Sequence, residues 1–294
     1  MGNFKENLAP RLKSLRESLY LLRRNKLTWA SLMFILFLIV IAILAPYIVP
    51  YPEHIAETLN PSAKLTGPCG AYFFGTDEMG RDIFSRIVYG TRISLGASLG
   101  AVFLAILIGA TLGAVAGSTG GIVDNLIMRI TDVFLSFPSL LLAILISAFA
   151  GASLVNALVA IAVSWWPWYA RIVRGQAISL KERQFVRAAR AIGTSKLRII
   201  FSHILPNCIA PVIVQASMDF GGVILTLASL SFLGLGAQAP LPEWGLMINT
   251  SKTYFLNAWW YSVFPGAAIF VTVLAFNLLG DGLREILDPR TKNK

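Results

Sequence analysis

Few side chains in this 294-residue sequence are placed to do chemistry on a substrate. The sequence contains no Gly-x-x-x-x-Gly-Lys-Ser/Thr phosphate loop, no His-Glu-x-x-His metal pair and no Gly-x-Ser-x-Gly nucleophile elbow. Its two histidines, His54 and His203, and its two cysteines, Cys69 and Cys208, lie far apart along the chain. We therefore expect no catalytic residue, metal site, disulfide bond or cofactor in this chain itself.

Asp219 is the most conspicuous ionisable side chain, because it lies within a long apolar stretch. An ionised carboxylate near the centre of a bilayer costs at least ~2.5 kcal/mol, so it should face protein or water. Two interpretations remain open. Asp219 either lines a solute path, where it would attract an amino group or a metal cation, or forms a hydrogen bond to a neighbouring helix.

A second group of charges lies within residues 74–86, which read Phe-Gly-Thr-Asp-Glu-Met-Gly-Arg-Asp-Ile-Phe-Ser-Arg. Acids and bases alternate densely here, and the four that we single out are Asp77, Arg81, Asp82 and Arg86. This pattern predicts a salt-bridged cap at the outer membrane face. Since exposed ion networks are individually weak, the pattern favours a structural cap over a ligand site.

A polar stretch at residues 184–207 interrupts the apolar second half of the chain. Helical spacing places four residues on one face of a first helix: Phe185, Ala188, Ala189 and Ile192. Gly193 would end that helix in a left-handed turn. Thr194 or Ser195 can cap a second short helix, which Pro206 ends, with an apolar face of Leu197, Ile200, Phe201 and Ile204. The sequence therefore predicts a helix, a glycine turn and a helix.

The amino-acid composition indicates the kind of structure that holds these residues in place. The chain is 56% hydrophobic and 14% charged, with a mean hydropathy of +0.68 and a net charge of +10. Several segments stay uncharged over more than the roughly 20 residues that cross a bilayer. The basic residues cluster between these segments, which membrane topology explains better than nucleic-acid binding. We expect an all-α polytopic protein of the cell membrane in contact with lipid.

Six spans are predicted, with both termini in the cytosol. They cover Trp29–Val49, a stretch within Ile93–Val123, about Ile122–Ala148 with a bend at Phe137-Pro138, Gly151–Tyr169, about Asn207–Leu235 and about Asn257–Gly280. The pattern of residues 1–28 predicts an amphipathic helix, which either lies on the cytosolic membrane surface or is exposed to solvent. Residues 286–294 are expected to form a cytosolic tail. The first span and an external segment fill 29–91, and the remaining membrane core fills 92–285.

Four smaller expectations concern packing. Glycines at a spacing of four in the second span predict a close helix contact, either within this chain or with a second membrane chain: Gly96, Gly100, Gly109, Gly113 and Gly117. Asp124, Arg129 and Asp132 are expected to pair locally. The aromatic run Trp165, Trp166, Trp168 and Tyr169 is typical of an interfacial belt. The sequence Pro-Leu-Pro-Glu-Trp-Gly at 240–245 predicts an exposed outer turn.

Residues 184–207 resemble the signature loop of ABC importer permeases. Five positions fall on that pattern, namely Ala188, Ala189, Gly193, Leu205 and Pro206, while Arg187 stands where the family has Glu. The His-Ile-Leu-Pro-Asn ending is similar to the peptide and nickel branch of the family. The resemblance implies that this loop is a coupling helix, seated in a groove of a cytosolic ATPase.

Residues 74–86, the Tyr-Gly-x-Arg-x-Ser-Leu at 89–95 and the tail at 276–290 resemble the C-type permease subunit of dipeptide and oligopeptide importers. This implies a type I ABC importer transmembrane domain. It also implies four partners: a homologous permease chain, two ATPases that carry ATP and Mg²⁺, and an external solute-binding protein. Nickel or glutathione import is the alternative within the family. Two other classes of protein are alternatives. A stand-alone secondary transporter would usually show a second, internally repeated set of spans, and an intramembrane enzyme would need a second catalytic residue besides Asp219.

Overall fold

The computed structural model describes Arg23, residues 25–56 and residues 58–287, with side chains as far as residue 285. Within this part of the chain the regular structure is helical and no strand occurs. The expected all-α class is therefore confirmed. The helix expected over residues 1–28 and the tail expected at 286–294 lie almost wholly outside the described residues.

The described residues form ten α-helices, numbered here in chain order. They are α1 (Lys26–Ile48), α2 (Ile83–Thr119), α3 (Gly121–Leu135), α4 (Ser139–Ala150), α5 (Leu154–Leu180), α6 (Gln184–Ala191), α7 (Lys196–Ile199), α8 (Ile209–Phe232), α9 (Trp244–Ser251) and α10 (Trp259–Leu287). A π-helical turn (Ile200–Ile204) and a 3₁₀ turn (Leu205–Cys208) join α7 to α8. Short 3₁₀ turns also occur at Pro52–Ile55, Pro61–Ala63 and Lys252–Tyr254.

Four helical runs among the described residues are long and apolar enough to cross a membrane: α1, α2, the run from α7 through α8, and α10. A fifth arises if α3 and α4, which meet at an angle of 89°, form one broken span. Pro138 lies between them and has no amide hydrogen to continue α3, so the expected bend is confirmed. The expected fourth span corresponds to α5, which is 27 residues long but carries Trp, Tyr and Arg in its second half.

Helix α2 begins at Ile83, ten residues before the apolar run from Ile93 that carries the second expected span, and extends for 37 residues. The side chain of Asp82 caps it by accepting a hydrogen bond from the Ser85 amide at 2.8 Å. At the other end, Gly120 and Gly121 adopt φ of +70° and +61° and make the expected turn. Part of the segment expected to be external loop is thus helix.

Helices α2 and α5 pack backbone against backbone. A Cβ atom at Gly109, Gly113 or Gly117 would lie 2.3, 2.3 or 2.6 Å from the carbonyl oxygens of Trp166, Ala170 and Arg174 respectively. The expected close helix contact is confirmed, and these three glycines make it within this chain. A second permease chain is not needed to explain their spacing.

The described residues form three buried clusters, of which the smallest, Ile35, Ala275 and Leu279, joins α1 to α10 and the two larger ones fill the bundle. One, which includes Ile83, Ile161 and Tyr261, joins α2, α5, α8, α9 and α10. The other, which includes Tyr169 and Ile204, joins α2 and α5 to the segment that links α5 to α8. The packed core thus extends from the start of α2 to the polar stretch after α5.

Candidate functional site

The polar stretch after α5 forms the predicted first helix and glycine turn, and a second short helix follows. Helix α6 is followed by Gly193 with φ of +80°, a left-handed conformation that glycine adopts without strain. The hydroxyl of Ser195 accepts a hydrogen bond from the Arg198 amide at 3.4 Å and begins α7. Of the two possible caps, Ser195 is therefore the one used. We call residues 184–208 the hinge segment.

The hinge segment turns two sets of apolar side chains in opposite directions. Val186, Ala189, Ile199, Ile200 and Ile204 are buried against the bundle. Four larger side chains face outward, namely Phe185 at 44% exposure, Ile192 at 83%, Leu197 at 67% and Phe201 at 48%. Arg187 and Ala188 are also exposed.

The single apolar face expected for the second helix is wrong, because Leu197 and Phe201 point outward while Ile200 and Ile204 point inward. The chain changes from α to π at Ile200 and to 3₁₀ at Leu205. Each change alters the angle between successive side chains, so helical spacing assigns them to the wrong face. Pro206 sits in the 3₁₀ turn that leads into α8.

Asp219 lies near the middle of α8, and its carboxylate contacts two helices. Its Oδ1 accepts a hydrogen bond from Gln215 Nε2 at 2.8 Å, one turn earlier on the same helix. The hydroxyl of Tyr169 on α5 lies beside it. The Tyr169 hydroxyl donates to this carboxylate in a looser geometry than the Gln215 amide does.

The aromatic run on α5 is mostly not an interfacial belt. Tyr169 is fully buried and Trp166 is 5% exposed, while Trp168 is half-exposed. Tyr169 is buried because α2 approaches α5 so closely that the Cβ of Tyr169 would lie 2.8 Å from a Cβ at Gly109. The contact of Tyr169 with Asp219 could not be predicted from the sequence, since a Trp-Tyr run gives no sign of which ring turns inward.

The acidic residues of α3 form ion pairs with arginines of α5 and not within α3 as expected. Arg174 binds Asp124 with two hydrogen bonds, Nε to Oδ1 at 2.6 Å and Nη2 to Oδ2 at 2.8 Å. Arg171 Nη2 donates to Asp132 Oδ1 at 2.6 Å. The expected local pairing is therefore wrong for both acids, because α3 lies alongside α5 within reach of its arginines.

The outer cap is a buried ion network. Arg81 Nε lies 2.7 Å from Asp77 Oδ2, and Arg86 Nε lies 3.6 Å from the same oxygen. All three side chains are at most 5% exposed. The expected salt bridges form, but the expectation of an exposed network is wrong. Buried charges are costly unless paired, so this cap depends on every partner.

Asp82 and His54 connect the cap to the rest of the chain. Asp82 Oδ2 accepts from both the amide and the hydroxyl of Ser85, at 2.8 and 2.6 Å, and its own amide donates to His54 Nδ1 at 3.1 Å. Arg86 donates to the carbonyl oxygens of His54 and Pro240, each at 3.3 Å. These contacts of His54 could not be predicted from the sequence, because a lone histidine in a loop belongs to no recognisable motif.

The loop at 240–245 is largely buried, which corrects the expected exposed turn. Trp244 Nε1 donates to the Ile87 carbonyl at 3.1 Å, and Leu241 alone in 241–245 is exposed. Glu243 is 1% exposed and accepts from the amides of Gly245 and Leu246 at 3.0 and 2.8 Å. Burial raises the pKa of the Glu243 carboxyl, and these hydrogen bonds oppose that rise. The loop thus ties α9 to α2.

Comparison with known proteins places this architecture in a family. Residues 109–293 match the family model described as "Binding-protein-dependent transport system inner membrane component". Residues 14–68 match the model of the "N-terminal TM domain of oligopeptide transport permease C".

Close relatives cover almost the whole chain. A dipeptide transport system permease protein of Alkalihalophilus pseudofirmus is 51% identical over 95% of this chain and 90% of its own length. A probable D,D-dipeptide transport system permease protein of Escherichia coli is 44% identical over 94% and 91%. A glutathione transport system permease protein of Pectobacterium atrosepticum is 47% identical over 92% and 89%.

The fold is also that of a solved transporter. A chain of the MetNI methionine ABC transporter, in an inward-facing conformation, superposes with a TM-score of 0.53 at 20% identity. The match covers 69% of this chain and 96% of that one. The expected type I ABC importer fold is therefore confirmed. By its match over 109–293 and its close relatives, the chain belongs to the binding-protein-dependent transport system inner membrane components.

Proposed function

We propose that this chain is one of two homologous permease subunits of an ATP-driven peptide importer of the inner membrane. Its relatives named for dipeptide, D,D-dipeptide and glutathione transport support a short peptide as the solute. As a permease of this family it works with an ATPase and a solute-binding protein. The full set would be a second permease, two ATPases carrying ATP and Mg²⁺, and the binding protein, with both termini of this chain in the cytosol.

The hinge segment is the observation that carries the coupling part of this proposal. Four large apolar side chains are exposed on a segment that has eight basic residues and one acidic residue between Arg171 and Pro206. An apolar patch with a polar rim is typical of a protein contact, and the positive charge supports a cytosolic position for it. We infer that Phe185, Ile192, Leu197 and Phe201 meet the ATPase.

The buried side of the same segment provides a route for movement. Val186, Ala189, Ile199, Ile200 and Ile204 pack in one cluster with residues of α2 and α5. A displacement of the hinge segment by an ATPase therefore moves these helices with it. Such work requires that the segment contact the ATP-bound and nucleotide-free ATPase differently. In this proposal Asp219 lines the path that opens, and the outer cap is structural.

Gly193→Pro tests the coupling. Proline holds φ near −65°, which is incompatible with the observed +80°, so the turn between α6 and α7 is disrupted. We expect the variant to insert in the membrane and to leave ATP hydrolysis running while uptake falls to background. Gly193→Asn is the matched control, because asparagine tolerates a left-handed conformation and should retain most uptake.

The measurements are uptake of a dipeptide, of glutathione and of Ni²⁺ by proteoliposomes that hold the whole importer, with ATP hydrolysis followed in parallel. Dipeptide uptake at a normal ratio to ATP consumed by Gly193→Pro would refute the coupling role. Uptake by this chain in liposomes without companion subunits would instead favour a stand-alone transporter. Uptake of glutathione or Ni²⁺ in place of dipeptide would replace the proposed solute.

A further inference from the structure

The sequence Tyr-Gly-x-Arg-x-Ser-Leu at 89–95 carries two polar side chains that have no partner in the described part of the chain. Ser94 does have one, since its hydroxyl accepts a hydrogen bond from the Trp244 amide at 3.3 Å. The side chains of Tyr89 and Arg92, by contrast, form no hydrogen bond or ion pair with any described residue. Their polar ends are left for a group outside this chain.

Tyr89 and Arg92 line the same groove at the surface of the bundle, which has a volume of about 420 Å³. This volume lies within the usual range for a ligand site. Its other walls are apolar and come from α2, α5 and the loop before α9: Ile93, Ala97, Leu154, Leu158 and Leu241. At Gly96 the groove is open, because a Cβ there would meet no atom within 4 Å. An exposed arginine alone is common, but an unpaired arginine and tyrosine at the edge of one apolar groove indicate a ligand with a polar and an apolar part.

The groove lies where α2 and α5 enter the apolar layer of the membrane. Arg92 is the last charged residue before the apolar run that starts at Ile93, and α5 begins at Leu154. In the proposed topology this is the outer boundary of the bilayer. Further along α2, three apolar side chains on the same face as Gly96 are 54–65% exposed: Leu99, Phe103 and Leu107. A lipid chain that enters the groove therefore continues along an apolar surface.

These features fit the chemistry of a phospholipid. A guanidinium group binds two oxygens of a phosphate at once, and a tyrosine hydroxyl donates to another phosphate oxygen. Phosphate groups lie at the boundary of the apolar layer, at the level of Arg92, and acyl chains extend inward from them as the apolar walls of the groove do. A short peptide offers a carboxylate to Arg92 but no long chain to cover Leu154 and Leu158.

We propose that this groove binds one phospholipid of the outer leaflet. The phosphate accepts hydrogen bonds from Arg92 and Tyr89, and one acyl chain covers Ile93, Gly96 and Leu158. The bound lipid fills the space between the outer ends of α2 and α5. Its binding requires the outer position of this end of α2 and does not depend on which solute the importer carries.

The test is photolabelling of the complete importer in nanodiscs of unlabelled phosphatidylcholine. The probe is phosphatidylglycerol with a diazirine on one acyl chain, and the comparison is diacylglycerol with the same chain, which lacks the phosphate. Peptide mapping by mass spectrometry measures the label on residues 93–97 and 154–158, relative to the label on α1, where many apolar side chains are exposed. We expect about tenfold more groove label from phosphatidylglycerol than from diacylglycerol, because charge-assisted hydrogen bonds to phosphate are strong.

Arg92→Gln removes the charge from the groove and should lower the phosphatidylglycerol label about tenfold, to the diacylglycerol level. Lys64→Gln is the matched control and should label normally, because Lys64 is exposed in the outer segment but does not line the groove. Gly96→Leu keeps the charge and fills the groove, so the label from both probes should fall. Its control, Gly96→Ala, adds one methyl group that meets no atom within 4 Å and should leave most of the label. All three positions are exposed, so the variants should fold.

Equal groove label from the two probes, or unchanged label in Arg92→Gln, would overturn the lipid site. Label that appears on this chain alone and is lost in the complete importer would assign the groove to another subunit, which also overturns the proposal. Displacement of the label by glycylglycine would do the same by assigning the groove to the solute. Specific label in an importer that takes up no peptide would support the lipid site and refute the proposed function, and normal uptake without specific label would do the reverse.

Discussion

The backbone contact between α2 and α5 yields the sharpest prediction, which concerns Gly113. An alanine there would place its Cβ 2.3 Å from the Ala170 carbonyl oxygen and 3.0 Å from the Ala170 Cα. Ordinary contact begins near 3.4 Å, so α2 and α5 would have to separate by roughly 1 Å. The obstacle is backbone, which cannot rotate away as a side chain can. Gly113→Ala should therefore destabilise the protein.

The size of this destabilisation follows from two opposing effects. Forcing extra atoms into a packed contact typically costs about 1–3 kcal/mol. Alanine is favoured over glycine inside a helix by about 0.5–1 kcal/mol. Gly96 is on the same helix, but a Cβ there meets nothing within 4 Å. Gly96→Ala should therefore show only the gain in helix stability. The free energies of unfolding of the two variants should differ by roughly 1–3 kcal/mol, with Gly113→Ala the less stable.

Thermal unfolding of the purified chain in detergent measures this difference. At about 2–4 °C per kcal/mol for proteins of this size range, the apparent Tm of Gly113→Ala should lie roughly 2–12 °C below that of Gly96→Ala. Peptide uptake should fall with it, because α2 and α5 carry the cluster that contacts the hinge segment. Equal Tm values for the two variants would refute the close backbone contact.

Two further predictions concern charged groups. Because burial raises the pKa of Glu243 above its unfolded value of 4.5, the folded chain holds this proton more tightly than the unfolded chain. The resulting stabilisation is complete below the unfolded pKa and is lost as pH rises through the folded pKa, so the Tm of wild type relative to Glu243→Gln should increase as pH falls from about 8 to about 4.5. A difference independent of pH would contradict this. Arg174→Gln removes a two-bond pair with a mostly buried Asp124, whereas Arg171→Gln removes a single bond between half-exposed side chains. Unfolding in detergent should show a loss of about 1 kcal/mol or more for Arg174→Gln and at most about 0.5 kcal/mol for Arg171→Gln, and the reverse order would contradict the difference in burial.

Local features were readable without a structure. The left-handed turn at Gly193, the break at Pro138 and the helix contact made by Gly109, Gly113 and Gly117 all appear as expected. Each depends on backbone conformation or on the absence of a side chain at one position. Such properties belong to the residue itself and its near neighbours, so they can be recognised from type and spacing.

Partnerships across the bundle were not readable in this way. The sequence paired Asp124 and Asp132 locally, placed Tyr169 at an interface and treated the cap of Asp77 and Arg86 as exposed. Each of these depends on which helix lies alongside another and on how far α2 extends beyond the apolar run. Apolar composition identifies a span, but it does not state which face meets lipid and which meets protein.

The amino-acid sequence by itself determined the membrane class, the approximate spans, the hinge segment and the family resemblance, because apolar length, turn residues and motifs are local quantities. Only the tertiary structure decided which side chains meet Asp219 and which apolar side chains of the hinge segment face outward. Burial and hydrogen bonding depend on atoms brought together from distant positions. Two residues 50 apart, such as Asp219 and Tyr169, come into contact only when α5 and α8 pack.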